Sequence, residues 1–382
     1  MRWRVNIPII GHDGRRAPDG ERLGPALKRI TVIGTGLIGT SIALAMRRVG
    51  AEVLLIDRDP AVAGLAAELG AGAPWSGESA DVAVLAVPPS AVARTLLDAQ
   101  ERGLAAAYTD VASVKVPPLA EAARLGCDLR VFVGGHPLGG SERSGPLAAR
   151  PELFDGRPWA LCPAEGADPA AVEAVTSLVT GCGATPVRID AAGHDRAMAL
   201  VSHAPHVVSS AMAARFADAP EGMVGLAGQG ARDVTRIAGG APALWQEILA
   251  ANAGPVADVI EAVSDDLARV ASALRARAGG EPAVAGLLTR GVTGRDRIPV
   301  KRGGSAGRLT TVTVLVADRP GELALILQAA GVAGINIEDV SIEHLQGRPV
   351  GVAELSVDPE SAPRLIAELR DRGWSLPDPP GR

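Results

Sequence analysis

The sequence predicts an α/β chain built in three parts. A doubly wound, mostly parallel sheet domain covers 29–190, an all-helical domain covers 191–290, and a small α+β domain covers 309–380. Three observations predict this. Short β-branched runs alternate with single helical segments up to Asp190, the pattern of a sheet with helices on both faces. Strand signal then almost vanishes to Ala278, where long Ala/Val/Leu segments keep helical spacing. From Leu309 onward the order is strand, helix, strand, strand, helix.

Each element has its own signal. Met1 to Lys28 mixes charges with Gly and Pro, lacks a signal-peptide core, and reads as a disordered extension. Arg29-Ile-Thr-Val-Ile33 is the first strand; an alanine-rich helix follows Gly39 and stops at Gly50. Val53-Leu-Leu-Ile56 is the second strand and ends in Asp57. Next come a strand over Asp81 to Val87, a helix from about Pro89 to Gln100, and a short strand reaching Tyr108. Leu129 to Gly134 and Pro158 to Cys162 read as strands, Asp168 to Thr180 as a helix, and Ala184 to Ile189 as the last strand. Several segments of 191–290 are apolar on more than one side, which predicts burial against another helix layer or another subunit, and hence a homodimer. Residues 291–308, rich in Gly and basic side chains, read as a linker.

Composition excludes several function classes. With 38 basic against 43 acidic residues, no positive excess exists to hold nucleic acid or an anionic membrane. An apolar fraction of 47% excludes disorder as the overall state, and with 2% aromatics stacking platforms for bases or sugars cannot be a main theme. No apolar run approaches ~18 residues, so no membrane span is expected. Cys127, Cys162 and Cys182 show no Cys-x-x-Cys spacing, which predicts a cytoplasmic protein in a reducing compartment.

Gly34, Gly36 and Gly39 match G-x-G-x-x-G between a strand and a helix. The first permits a tight turn, the second lets a pyrophosphate approach the backbone, and the third lets helix pack on strand. The helix start, with Leu37 and Ile38, offers free N–H groups and a positive dipole end. Asp57 can accept from an adenosine ribose and would repel a 2′-phosphate, so this Rossmann-type domain favours NAD. Arg58 beside it could accommodate that phosphate and keeps NADP open. Val87 ends a strand in the same crevice, either against the dinucleotide or as a plain strand terminator.

Three segments set polar groups in apolar surroundings: Asp110-Val-Ala-Ser-Val-Lys115, Gly134-Gly-His-Pro-Leu-Gly-Gly-Ser-Glu-Arg-Ser-Gly145, and Ser202-His-Ala-Pro-His206, where Pro205 predicts a kinked helix. Together with Gly34-Thr-Gly-Leu-Ile-Gly39 and Arg232-Asp-Val-Thr-Arg-Ile-Ala238, over about residues 29 to 290, they resemble the prephenate/arogenate dehydrogenase family of tyrosine biosynthesis. That resemblance implies NAD(P)-dependent oxidative decarboxylation of a cyclohexadienol to a phenol, with prephenate as the leading substrate and arogenate as its rival. It implies that His136 accepts the hydroxyl proton as hydride leaves, a task suited to an imidazole near neutral pH. Ser113 matches the serine that hydrogen-bonds both histidine and substrate. Arg236 matches the carboxylate-binding arginine, whose planar fork suits a bidentate pair. Ser141 and His206 match further substrate contacts, and Glu142 an acid that pairs with the arginine. Trp245 and Asn252 line or support the pocket.

Other polar residues have plainer readings. Lys115 has two, facing the cofactor or capping the next turn. His203 reads as packed, helix-capping or a substrate contact, and Arg232 as a partner of Asp233 or another acid. His203 and His206 lack a third ligand nearby, so no metal is expected.

At the C-terminus, Asp318-Arg-Pro-Gly-Glu-Leu323 and Gly334-Ile-Asn-Ile-Glu338 resemble the ACT domain, a βαββαβ module that pairs with a copy of itself and binds an amino acid at the interface. The resemblance implies an effector site at Asp318, Gly321 and Asn336, with L-tyrosine, the pathway's end product, as the expected ligand.

Overall fold

The computed structural model describes residues 27–139, 145–276, 280–298, 309–344 and 349–377. The chain divides into two compact units, 1–269 and 270–382.

The first unit holds an eight-stranded sheet. Its strands are β1 (Arg29–Ile33), β2 (Glu52–Ile56), β3 (Ala73–Pro74), β4 (Ala80–Leu85), β5 (Ala105–Asp110), β6 (Phe132–Pro137), β7 (Pro158–Pro163) and β8 (Thr185–Arg188). They lie in the order β3-β2-β1-β4-β5-β6-β7-β8, parallel throughout except between β6 and β7. The chain runs outward from β1 to β3 and then crosses to β4 on the other side of β1. That reversal opens a crevice at the carboxyl ends of β1 and β4, where open α/β sheets bind ligands.

Helices α1 (Leu37–Arg48), α2 (Pro60–Glu68), α3 (Val92–Glu101), α4 (Val116–Arg124) and α5 (Pro169–Gly181) complete this layer. Alternation along the strands explains the two cores. Val82 and Val84 point with Ile42 and Val175 into one, whereas Ala83 and Leu85 point with Leu96 and Phe132 into the other. Of the expected extension 1–28, positions 1–26 lie outside the described residues. Leu27 packs on the first core, and the Lys28 amide donates to Asp81 at 2.6 Å, so these two belong to the fold.

One helix has no counterpart in the sequence expectations, and one expected strand shifts. The helix α4 carries Pro117 and Pro118 at its start, which hid it among loop residues; proline is tolerated there because first-turn N–H groups have no helical partner. The strand expected over Leu129–Gly134 sits three residues later, and His136 lies inside β6 rather than after it. Gly-Gly-His-Pro reads as a turn, yet antiparallel pairing with β7 holds it extended, with His136 opposite Ala160. A Cβ on Gly135 would lie 2.5 Å from the Asp110 carbonyl oxygen, so only glycine lets these strands approach.

Beyond β8 the unit is helical: α6 (Ala191–Met198), a π-helical turn over Ala199–His203, α7 (Ala204–Ala217), α8 (Glu221–Val224), α9 (Gln229–Thr235), a 3₁₀ turn over Arg236–Gly239, α10 (Pro242–Ala251) and most of α11 (Ala253–Ala276), whose end falls past the 269/270 division. The expected kink takes the form of the π turn. Pro205 has no N–H and crowds the carbonyl one turn back, so the helix widens before it.

In the second unit α12 spans Glu281–Arg295, so Gly291 and Gly294 are helical and the expected linker cannot begin at 291. Glycine weakens a helix without forbidding it. Then follow β9 (Thr310–Ala317), α13 (Glu322–Val332), β10 (Ile337–His344), β11 (Val350–Val357) and α14 (Ala362–Asp371), with sheet order β10-β11-β9. Val312, Val314 and Val316 alternate inward against Ile326, Leu355 and Leu365. The expected last strand is a single bridge, Leu315 to Ser375.

Candidate active site

The glycine turn divides its labour as the spacing predicts. Gly34 has φ +96°, and its Cβ would sit 2.3 Å from the Ala86 carbonyl oxygen and 3.4 Å from Val87 Cγ1. Gly39 lies so close to the turn that a Cβ there would stand 1.9 Å from the Gly34 oxygen. Beside Gly36 there is open space, and neither a capping side chain nor an acid occupies the first turn of α1 around Leu37 and Ile38. Free N–H groups facing a cradle that a Cβ would fill suit a pyrophosphate. Asp57 accepts from the Thr35 amide at 2.7 Å, the Thr35 hydroxyl at 2.9 Å and the Asp59 amide at 3.0 Å. Partial burial pushes its carboxyl up, but these donors and Arg58 outweigh it and hold the group below its ordinary value. Val87 closes the crevice beside Gly34.

Under β6 lies an ion pair. Lys115 and Asp110 are each 1% exposed, and the ammonium donates to Asp110 Oδ2 and, at 2.7 Å, to the Gly135 carbonyl. Asp110 also accepts the amides of Gly135 at 2.9 Å and Ala112 at 3.1 Å. Lys115 is the N-cap residue of α4 through its backbone, with no side-chain cap, while its buried ammonium clamps the residue before His136.

His136 is half-buried. Its Nδ1 lies 2.9 Å from Nε2 of His194, whose Nδ1 lies 2.8 Å from Asp195 Oδ1. The carboxylate of Asp195 also accepts the amides of Lys115 and Val116, each at 2.8 Å, and so caps α4. Asp190 closes the first turn of α6 by accepting the Gly193 amide at 2.7 Å, which sets the direction of His194 and Asp195. Burial, then His194, Lys115 and His203, press the His136 imidazole well below its usual range and keep it neutral. The sequence reading missed His194 and Asp195; the one available signal was a His-Asp pair just past the first turn of a capped helix.

Ser113 lies half-buried in the loop before α4 and makes no hydrogen bond among the described residues; the imidazole partner of His136 is His194. Contacts continue into the helices. Asn252 donates to the Asp195 carbonyl at 2.8 Å and faces His203 Nδ1 at 3.0 Å. Burial holds His203 down to about 4, with His194 acting the same way and Asp195 opposing. His206 stacks on Trp245 at 3.6 Å and 9°, and a Cβ on Gly240 would strike that pair. Arg236 opens the turn leading to Gly240; it is exposed and has no ion pair among the described residues. Ser141 and Glu142 lie outside the described residues. No group of three or more His, Cys, Asp or Glu among the described residues is arranged to hold a metal.

In the second unit Gly321 has φ +92° and begins α13, with Asp318 just before it. Asn336 donates to Glu338 at 2.6 Å. Register places Ala317 opposite Val350, but Ile337 opposite Val357 at the other end of β11. Within one chain Asn336 and Gly321 are therefore separated by the sheet's length, about 20 Å at ~3.3 Å per residue. The three expected effector residues do not converge in one copy.

Known proteins match this architecture. Residues 42–188 match the family model for the prephenate dehydrogenase nucleotide-binding domain, and 190–284 that for the prephenate dehydrogenase dimerization domain. NovF of Streptomyces niveus, a probable prephenate dehydrogenase, is 42% identical over 91% of this chain and 99% of its own. This chain belongs to the prephenate dehydrogenase family. Among solved family structures, Synechocystis arogenate dehydrogenase superposes with a TM-score of 0.61 at 28% identity, covering 70% of this chain and 99% of that one. Prephenate dehydrogenase of Aquifex aeolicus, solved with hydroxyphenyl propionate and NAD+, gives 0.63 at 25% identity over 70% and 98%. The family's two domains correspond here to the eight-stranded sheet and to the helices that follow it. No described helix is long and apolar enough to cross a membrane.

Proposed function

We propose that this member of the family oxidatively decarboxylates prephenate to 4-hydroxyphenylpyruvate in tyrosine biosynthesis, with NAD as hydride acceptor. The observation that carries the reading is a neutral imidazole, His136, set in β6 with Nδ1 engaged, so that Nε2 can take the substrate's hydroxyl proton. Gly34, Gly36, Leu37, Ile38, Gly39, Asp57 and Val87 suit the dinucleotide, and the acceptor-rich Asp57 favours NAD over NADP. Bound NAD supplies the site that receives the hydride. His136 moves the proton, Ser113 and His206 orient the ring, and Arg236, exposed and without an ion pair among the described residues, offers its guanidinium to a carboxylate. Loss of carbon dioxide aromatises the ring and needs no further group.

The family's arogenate dehydrogenase keeps that substrate as the second reading. Assaying the purified protein with prephenate and arogenate, each with NAD and NADP, decides among four combinations; no turnover in any refutes the proposal. We further assign the second unit to the ACT type. Asp318 and Gly321 of one copy would face Asn336 of another across a homodimer, with L-tyrosine bound between. Inhibition by tyrosine, lost in Gly321→Val, is the expected result. Three buried free thiols suit the cytoplasm.

A further inference from the structure

We propose that His194 and Asp195 are positioning residues that fix the tautomer of His136 and share the charge it acquires. This rests on the reading of His136 as the base.

With His194 neutral, the geometry admits one pattern of protons. Asp195 is ringed by donors: its oxygens accept the Lys115 and Val116 amides at 2.8 Å each, so it serves as an ionised acceptor. His194 Nδ1, 2.8 Å from Oδ1, must then carry a proton. In neutral His194 the other nitrogen, Nε2, is a lone pair, and the His136 Nδ1 facing it at 2.9 Å has to donate. His136 is left with one basic atom, Nε2. Both supporting side chains are almost fully buried, so no water competes for these bonds.

In the reaction the substrate O–H bond breaks and an N–H bond forms at His136 Nε2, while Nδ1 keeps its proton. The resulting imidazolium is then stabilised by a stronger Nδ1–H bond to His194, which Asp195 polarises. No proton needs to travel along the chain, as in the serine-protease triad, where the aspartate also holds a tautomer without being protonated. Among the described residues, the titratable groups acting on His136 are His194 from α6, Lys115 from the loop before α4 and His203 from the π turn; Asp195 and Asp110 are the hydrogen-bond partners of His194 and Lys115. Ala160, its partner on β7, carries no charge.

The test uses the full chain. Nitrogen-15 NMR of histidine-labelled wild type at pH 8 should show His136 protonated at Nδ1 and bare at Nε2. In His194→Ala that signature should become a mixture of tautomers. Asp195→Asn offers an amide to His194 Nδ1, turns that ring over to the Nε2–H form, and sets two donors against each other at His136. Both variants should lose about 10²- to 10⁴-fold in kcat, with the KM for substrate and the Kd for NAD within about threefold. His194→Gln, whose carbonyl can accept the Nδ1 proton, should recover to within about tenfold of wild type, a rescue that a merely structural role would not produce. A wild-type His136 protonated at Nε2, or a His194→Ala enzyme within about fivefold of wild type, overturns the proposal. If wild type turns over no dienol, the functional reading falls, whereas the tautomer measurement still decides this one.

Discussion

Replacing Lys115 by Met isolates the clamp beneath the active-site strand. In the native protein Lys115 and Asp110 are 1% exposed, and the ammonium satisfies both the Asp110 carboxylate and the Gly135 carbonyl. Methionine fills much of the same space but strands a buried carboxylate with only two amide donors. Breaking a buried pair in this way costs about 3–5 kcal/mol. Lys115→Met/Asp110→Asn removes the stranded charge and should recover part of the loss. About 1–3 kcal/mol remains, because the Gly135 carbonyl still lacks its donor. Hydrogen exchange of the Gly135 amide, which donates to Asp110 at 2.9 Å, reads the local opening energy directly. Activity should fall in parallel, since His136 is the next residue. A Lys115→Met protein whose Gly135 amide keeps wild-type protection would refute the view that this pair holds the strand.

The glycines of the turn should separate binding from stability. Gly36→Ala meets open space and should leave the unfolding midpoint unchanged while weakening NAD binding at least tenfold by calorimetry; Gly39→Ala should destabilise the fold itself, its Cβ lying 1.9 Å from the Gly34 oxygen. His203 is held down to about 4 by burial, so its contribution is complete above the unfolded value of 6.5 and is lost as pH falls from 6.5 through about 4. Urea unfolding at pH 7 and pH 4.5 should differ by about 2 kcal/mol from this group, at ~1.4 kcal/mol per pH unit, and His203→Gln should flatten the dependence. Gly240→Ala forces a Cβ to 2.3 Å from Trp245 Nε1 and 3.0 Å from His206, which should raise the KM for substrate several-fold with little change in NAD affinity, measured by steady-state kinetics.

Hydrophobic period and glycine spacing determined much of this protein by themselves. Short apolar runs such as Ile30 to Ile33 and Val82 to Val87, separated by single helices, specified a parallel sheet, and Gly34, Gly36 and Gly39 specified where its ligand turn lies. Those are local properties, set by backbone conformation and by which face of an element is apolar. Tertiary structure decided what local pattern could not carry. Pairing with β7 drew His136 into a strand, and the packing of α6 gave it His194, 58 residues away, as its partner in place of Ser113. Strand register sent Asn336 to the opposite end of the sheet from Gly321. Hydrogen-bond partners distant in sequence are chosen by register and helix packing, because a side chain a few ångströms long answers to whatever the fold brings within reach.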